Sequence, residues 1–288
     1  MSEPNQSAPP SRKVYFLHIP KTSGSAFGGW LRRLYTAENS IPCYDLVGLL
    51  ELPLEEINSY SCYSGHFGAS LLDILDSPVA TVTYLRKPIE RILSLAQHIL
   101  REPAVEQHPG WKDHYQNILT SAHPVEAMLD VPAFIEAIQN AQAQELTVRR
   151  PLLQLLTKGK PDSQQIQELM KQSSIPPQHL MLENAITFLD RMPTFGIFEQ
   201  SVESVNHIAN CLNLPGERTL LLERVAPQRK NVITPDFWSS SIHLGLRRKL
   251  ENFVEIDQQL YDYAVDRFNS EKLQNTGFSF PTEAQSTK

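Results

Sequence analysis

Two stretches of this chain share one pattern, and together they exclude most folds. Val14-Tyr15-Phe16-Leu17-His18-Ile19 is a short apolar, β-rich run that stops at Pro20, which reads as a buried strand. The turn Lys21-Thr22-Ser23-Gly24-Ser25 follows, after which Phe27, Trp30, Leu31 and Leu34 recur at helical spacing. Further on, Val79-Ala80-Thr81-Val82-Thr83-Tyr84-Leu85 is a β-branched run ending at Arg86. Pro88 then stands where a first helical turn would begin, a position that suits its fixed φ and missing N–H. Ile89, Ile92, Leu93, Ala96 and Leu100 supply the apolar face of that helix. Strand, turn, helix, repeated, predicts an α/β fold with a parallel sheet flanked by helices.

The rest of the chain extends this frame. A third strand is expected at Thr194–Phe198, with a helix from Ser201 to about Leu212, and a fourth strand at Leu220–Arg224. One helix is expected from about Leu246 to Phe268, with Leu250, Val254, Tyr261, Val265 and Phe268 on one side. Residues 102–190 are richer in Pro, Gln and His, and their helical patterns lack intervening strands. Those patterns run near Pro132–Gln139, Leu146–Leu156, Ser163–Gln172 and Pro177–Arg191, and they read as a helical insertion over the sheet. An insertion at a sheet edge often shapes a substrate pocket. The expected organisation is one domain over 14–273, with short disordered tails at 1–13 and 274–288.

Composition narrows the function. The net charge of -6 argues against a nucleic-acid binder, while a few local cations and backbone N–H groups still permit an anionic ligand. Three scattered cysteines make neither a disulfide framework nor a zinc site, and they read as reduced thiols of a cytoplasmic protein. No apolar run approaches the roughly 20 residues of a membrane span. His98, His108, His114 and His123 fit no compact metal-ligand set.

The chemistry concentrates at the two turns. A helix N-terminus offers unpaired N–H groups and the positive end of its dipole, so the Lys21–Ser25 turn suits a phosphate. Gly24 permits close approach, Thr22, Ser23 and Ser25 add hydroxyls, and Lys21 adds a cation. The lysine precedes the loop, unlike the G-x-x-x-x-G-K-[ST] of a Walker P-loop. The plain alternative is a capped helix with an exposed lysine. Arg86 stands at a strand's C-terminal end, where open α/β sheets bind ligands. With Ser94 eight residues on, it could grip a second phosphate through charge-assisted hydrogen bonds. Here the plain alternative is a surface pair between Arg86 and Glu90, worth little.

Taken together, the two turns resemble a known family. His18-Ile19-Pro20-Lys21-Thr22-Ser23-Gly24-Ser25 is similar to the 5′-phosphosulfate loop of carbohydrate sulfotransferases related to the heparan sulfate 2-O- and 6-O-enzymes. Leu85-Arg86-Lys87-Pro88-Ile89-Glu90-Arg91-Ile92-Leu93-Ser94 resembles their 3′-phosphate motif, and Phe195–Glu199 and Asp257–Ala264 resemble later landmarks. The resemblance implies a P-loop-like fold and 3′-phosphoadenosine-5′-phosphosulfate (PAPS) as donor, with adenosine 3′,5′-bisphosphate (PAP) as product and no metal. It implies that Lys21, Thr22, Ser23, Gly24 and Ser25 hold the 5′ end, that Arg86 and Ser94 hold the 3′-phosphate, and that Arg229 and Lys230 belong to a loop closing over the nucleotide. Ser23 and Ser25 stand where Gly and Thr are common in that family, and Lys87 replaces a frequent Asp.

Sulfuryl transfer needs a base for the acceptor hydroxyl and a cation at the leaving phosphate oxygen. Lys21 suits the second task. His66, beside Gly65 in Tyr63-Ser64-Gly65-His66-Phe67, is the candidate base, since an imidazole with pKa near ~6.5 suits such work. The resemblance implies the same role, although Ser64 occupies the position where the 2-O-enzymes carry an earlier histidine. His18 reads as a structural residue beneath the loop. The acceptor implied is a carbohydrate or glycosylated metabolite. The competing readings are a nucleotide kinase or NTPase, or a non-catalytic nucleotide-binding relative.

Overall fold

Val14, Tyr15, Phe16 and Leu17 are all fully buried, so this strand has no solvent face and needs cover on both sides. The computed structural model, which describes residues 10, 12–101, 111, 114–157, 161–162, 164–166, 168, 172–215 and 241–276, supplies that cover. Strand β1 (Val14–Leu17) leads into helix α1 (Gly24–Tyr35), then α2 (Leu46–Leu50), α3 (Leu54–Ser59) and strand β2 (Cys62–Gly65). Strand β3 (Ala80–Leu85) leads into α4 (Pro88–Arg101). The helical region contributes α5 (Tyr115–Thr120), α6 (Pro124–Met128), α7 (Pro132–Ile138), α8 (Ala141–Thr147), α9 (Leu152–Leu156) and α10 (Gln178–Asp190). Strand β4 (Gly196–Ile197) and helices α11 (Ser201–Leu212), α12 (Ser241–Glu251) and α13 (Glu255–Thr276) complete the described elements.

The sheet has order β2-β1-β3-β4 and every pairing is parallel. Alternating side chains serve opposite faces. Val14 and Phe16 join Val82, Tyr84 and the apolar faces of α1 and α11. Tyr15 and Leu17 join Tyr63, Leu85 and Ile197 under α8, α10 and α13. A third cluster packs α4 against α5, α6, α7 and α12. The helical region thus lies partly over the sheet and partly over α4. Among the described residues, no helix is long and apolar enough to cross a membrane.

Two local expectations change, and one strand lies where none was expected. Cys62–Gly65 is a strand, although its Ser and Gly hide the apolar signature; the open edge of β1 recruits it, with Val14 N–H donating to Ser61 O at 2.9 Å and His18 N–H to Gly65 O at 3.2 Å. Leu146–Leu156 is two helices, because Pro151 brings no N–H and disfavours helical backbone at Arg150. Leu246–Phe268 is also two helices, α12 and α13, interrupted after Glu251. A distant partner makes that break tenable, since the Asn140 side chain accepts from Ile256 N–H at 3.0 Å and Asp257 N–H at 3.2 Å. These are two of the donors a helix start leaves unpaired. The expected strand Leu220–Arg224 and most of the expected tails lie outside the described residues, as does part of the expected helix Ser163–Gln172.

Candidate functional site

In a doubly covered parallel sheet, a crevice opens at the C-terminal edge where neighbouring strands send their chains in opposite directions. With order β2-β1-β3-β4, β1 connects toward β2 and β3 toward β4, so the crevice lies between β1 and β3. The register decides what meets there. Leu17 pairs with Gly65, which brings the next residues, His18 and His66, side by side. Leu85 pairs with Ile197, which sets Arg86 beside Phe198.

The loop after β1 has an unusual backbone. Lys21 (φ 70°) and Ser23 (φ 116°) both take positive φ although neither is glycine. Alternation of backbone handedness along a loop turns successive N–H groups toward one side, forming a concavity that receives anions. Ser23 also makes no side-chain cap to α1. Thr22 behaves differently from the expected outward hydroxyl: it is fully buried, and its Oγ1–H donates to Ile19 O at 2.8 Å. Its hydroxyl is therefore spent inside the loop, and only its backbone could face a ligand. A Cβ at Gly24 would fall 1.5 Å from His18 Nε2, so only glycine lets α1 start against that ring. The Ser25 side chain lies outside the described residues.

A positive φ at a non-glycine residue stores strain on the order of 1–3 kcal/mol. Ser23→Gly should therefore raise stability by about 1 kcal/mol, read as a higher midpoint in urea. An unchanged or lower midpoint would show that the serine is not strained.

Arg86 reaches back to this loop. Its Nη1–H donates to Lys21 O at 3.1 Å, and its guanidinium lies over the Phe198 ring, 4.1 Å from the centroid. Burial pulls the Arg86 pKa below its ordinary value, opposed by the nearby Glu199 and Glu90 carboxylates. Its Nε is buried with no hydrogen-bond partner among the described residues. No ion pair joins Arg86 to Glu90 there, so the surface-pair alternative does not describe this residue. Ser94 is half-buried on α4, and no hydrogen bond among the described residues ties it to Arg86 or the loop. Neighbouring Arg91 is buried and turned away, its Nη2–H donating to Ala137 O at 3.1 Å.

On the other side of β1 stands a cluster of three rings. The His66 Nδ1 lies 2.7 Å from His18 O. A carbonyl can only accept, so Nδ1 carries the hydrogen and the neutral ring keeps its lone pair on Nε2. The His66 ring stacks on His18 with centroids 4.3 Å apart. Burial lowers the His66 pKa and the Lys21 cation lowers it further, against the His18 carbonyl and Asp45, which raise it. His18, only 6% exposed, is pushed down to about 2 by burial, then by His66 and Lys21. It is neutral, buried beside the loop as expected, and its Nδ1 pairs closely with the Tyr44 hydroxyl. Tyr44 also sets its ring edge against His66 at 4.8 Å, under the Arg32 guanidinium at 5.7 Å.

The structure thus brings Arg86 to the Lys21–Ser25 loop and His66 to its other flank. Arg229 and Lys230 lie outside the described residues. Two contributors are not singled out as site residues by the sequence. Tyr44 sits in a stretch with no motif, and Phe198 is visible there only as a landmark. The fold and edge define an α/β protein with a parallel sheet, four-stranded among the described residues, and polar groups gathered at its C-terminal edge. No protein-family model matches the chain, and a search of curated proteins finds no match to it.

Proposed function

We propose that this chain is a sulfotransferase that moves the sulfuryl group of PAPS to an acceptor hydroxyl. The observation that carries the reading is the Arg86–Lys21 hydrogen bond across the β1/β3 crevice. It joins the two turns whose sequences resemble the 5′-phosphosulfate and 3′-phosphate motifs of carbohydrate sulfotransferases. A loop with convergent N–H groups suits one phosphate end, and a guanidinium held on an aromatic face suits another. Ser94 is the second residue the resemblance implies for that end.

The reaction then divides among few groups. His66 Nε2 takes the acceptor's proton as its oxygen attacks sulfur, and the bond from sulfur to the 5′-phosphate oxygen breaks. Lys21 and the loop N–H groups stabilise the negative charge that collects on the departing phosphate. His18, through its carbonyl, holds the tautomer that keeps Nε2 basic. An acceptor of carbohydrate character is part of the resemblance, and it would stand within reach of His66 Nε2.

Calorimetry with PAP against ATP tests the donor. PAP should bind tighter, and Arg86→Ala should weaken PAP by about 10- to 100-fold through loss of charge-assisted hydrogen bonds. Preference for ATP would favour the kinase or NTPase reading. Binding of PAP with no sulfuryl transfer to any of a panel of hydroxyl acceptors would favour a non-catalytic relative.

A further inference from the structure

The turn after β3 is built unlike the turn after β1. Arg86 N–H donates to Gln142 Oε1 at 2.9 Å, and Gln142 Nε2–H donates back to Arg86 O at 2.9 Å. Both main-chain polar groups of Arg86 are therefore held by one amide side chain from α8. The next N–H, on Lys87, donates to Glu199 Oε1 at 3.0 Å, and Glu199 Oε2 accepts from the Tyr261 hydroxyl at 2.8 Å. Main-chain donors at a strand-to-helix turn are what such a turn ordinarily presents to a phosphate. Here two of them are already used, so the turn offers a ligand its side chains.

Gln142 is itself fixed. It is fully buried, and its own N–H donates to Asp257 Oδ2 at 3.1 Å while Ala143 N–H donates to Oδ1 at 2.8 Å. Asp257 thus caps the start of α8, and Asn140, immediately before α8, caps the start of α13, which carries Asp257. Two helices more than a hundred residues apart cap one another reciprocally. An amide on so constrained a helix has little freedom to swing, and it transmits that rigidity to the β3 end.

We infer that Gln142 is a positioning residue for the 3′-phosphate end of the donor site: it sets where the Arg86 guanidinium stands. This rests on the donor reading above. It adds that discrimination of the 3′-phosphate depends on a residue that does not touch the nucleotide. Each end of the crevice then works by a different means, convergent backbone at β1 and one preset guanidinium at β3.

The test compares two ligands differing only at that end. Adenosine 5′-phosphosulfate lacks the 3′-phosphate that PAPS carries. Gln142→Met keeps the volume of the side chain and removes both hydrogen bonds. It should weaken PAPS by about tenfold and leave adenosine 5′-phosphosulfate within about twofold of the unsubstituted protein. Equal weakening of both ligands, or of neither, would overturn the positioning role. If Gln142→Met does not fold, Gln142→Asn, one carbon shorter and unable to span both Arg86 groups, carries the same expectation. The unsubstituted protein tests the donor reading separately: without tighter binding of PAPS than of adenosine 5′-phosphosulfate, both fall.

Discussion

Replacing His66 with alanine should, on the proposed reaction, reduce sulfuryl transfer by about a hundred- to ten-thousand-fold, the range that a positioned general base contributes. The geometry explains why so much should rest on one ring. Its Nδ1–H is committed to His18 O, so Nε2 is the only position from which it can take a proton. His66→Asn is the informative companion. An Asn amide can still donate toward the His18 carbonyl, which preserves the local hydrogen bond without restoring a base. Both variants should show that loss of transfer while retaining PAP affinity in calorimetry. Transfer near that of the unsubstituted protein in either one removes His66 from the mechanism.

The pH dependence carries the same assignment. Burial favours the neutral imidazole, so the His66 pKa lies below its ordinary value. The proposed base is active when neutral, so the midpoint of the acid limb of transfer should fall below about 6.5. An acid limb above that value would contradict a buried base.

Asp257→Ala should have the largest effect on stability, about 3–5 kcal/mol, which is the cost of leaving a buried charge uncompensated. Asp257 is fully buried, and burial raises its pKa against the pull of Arg91 and of the hydrogen bonds from Ala143 and Gln142. Removing the carboxylate strands the N–H groups of Gln142 and Ala143 in the first turn of α8 and takes away one of the two charges, with Glu145, that offset buried Arg91. Against a typical total of about 5–15 kcal/mol, that loss is about a fifth or more of the whole. Urea denaturation would read it directly. Asp257→Asn keeps one acceptor and should cost clearly less. A shift under about 1 kcal/mol for the alanine variant would mean the reciprocal caps contribute little.

Some parts of this molecule can be read from local pattern. β1, β3 and β4 are apolar runs bounded by Pro, Arg or a helix start, and α1, α4 and α11 carry an apolar face at helical spacing. Those signals arise from near neighbours in the chain, because strand and helix periods are local geometry. β2 marks the limit of local pattern. Cys62-Tyr63-Ser64-Gly65 is too short and too polar to announce itself, and it is a strand because β1 presents an unpaired edge. The break between α12 and α13 has the same character: Leu250 and Val254 continue the helical spacing, but Asn140 supplies the hydrogen bonds that let a new helix begin.

The candidate site divides along the same line. Lys21–Ser25 and Arg86 stand out in the sequence, each at the end of an apolar run, and His66 stands out as a histidine beside a glycine. Nothing in the sequence placed His18 against His66, laid Arg86 over Phe198 and onto the Lys21 carbonyl, or bound the Arg86 backbone to Gln142. The sequence alone determined an alternating α/β chain with two polar strand ends, because burial period and turn chemistry act over a few residues. Only the tertiary structure decided which polar groups share a crevice and which side chains hold them there. Register across parallel strands and packing between distant helices set those contacts, and neither leaves a mark on neighbouring residues.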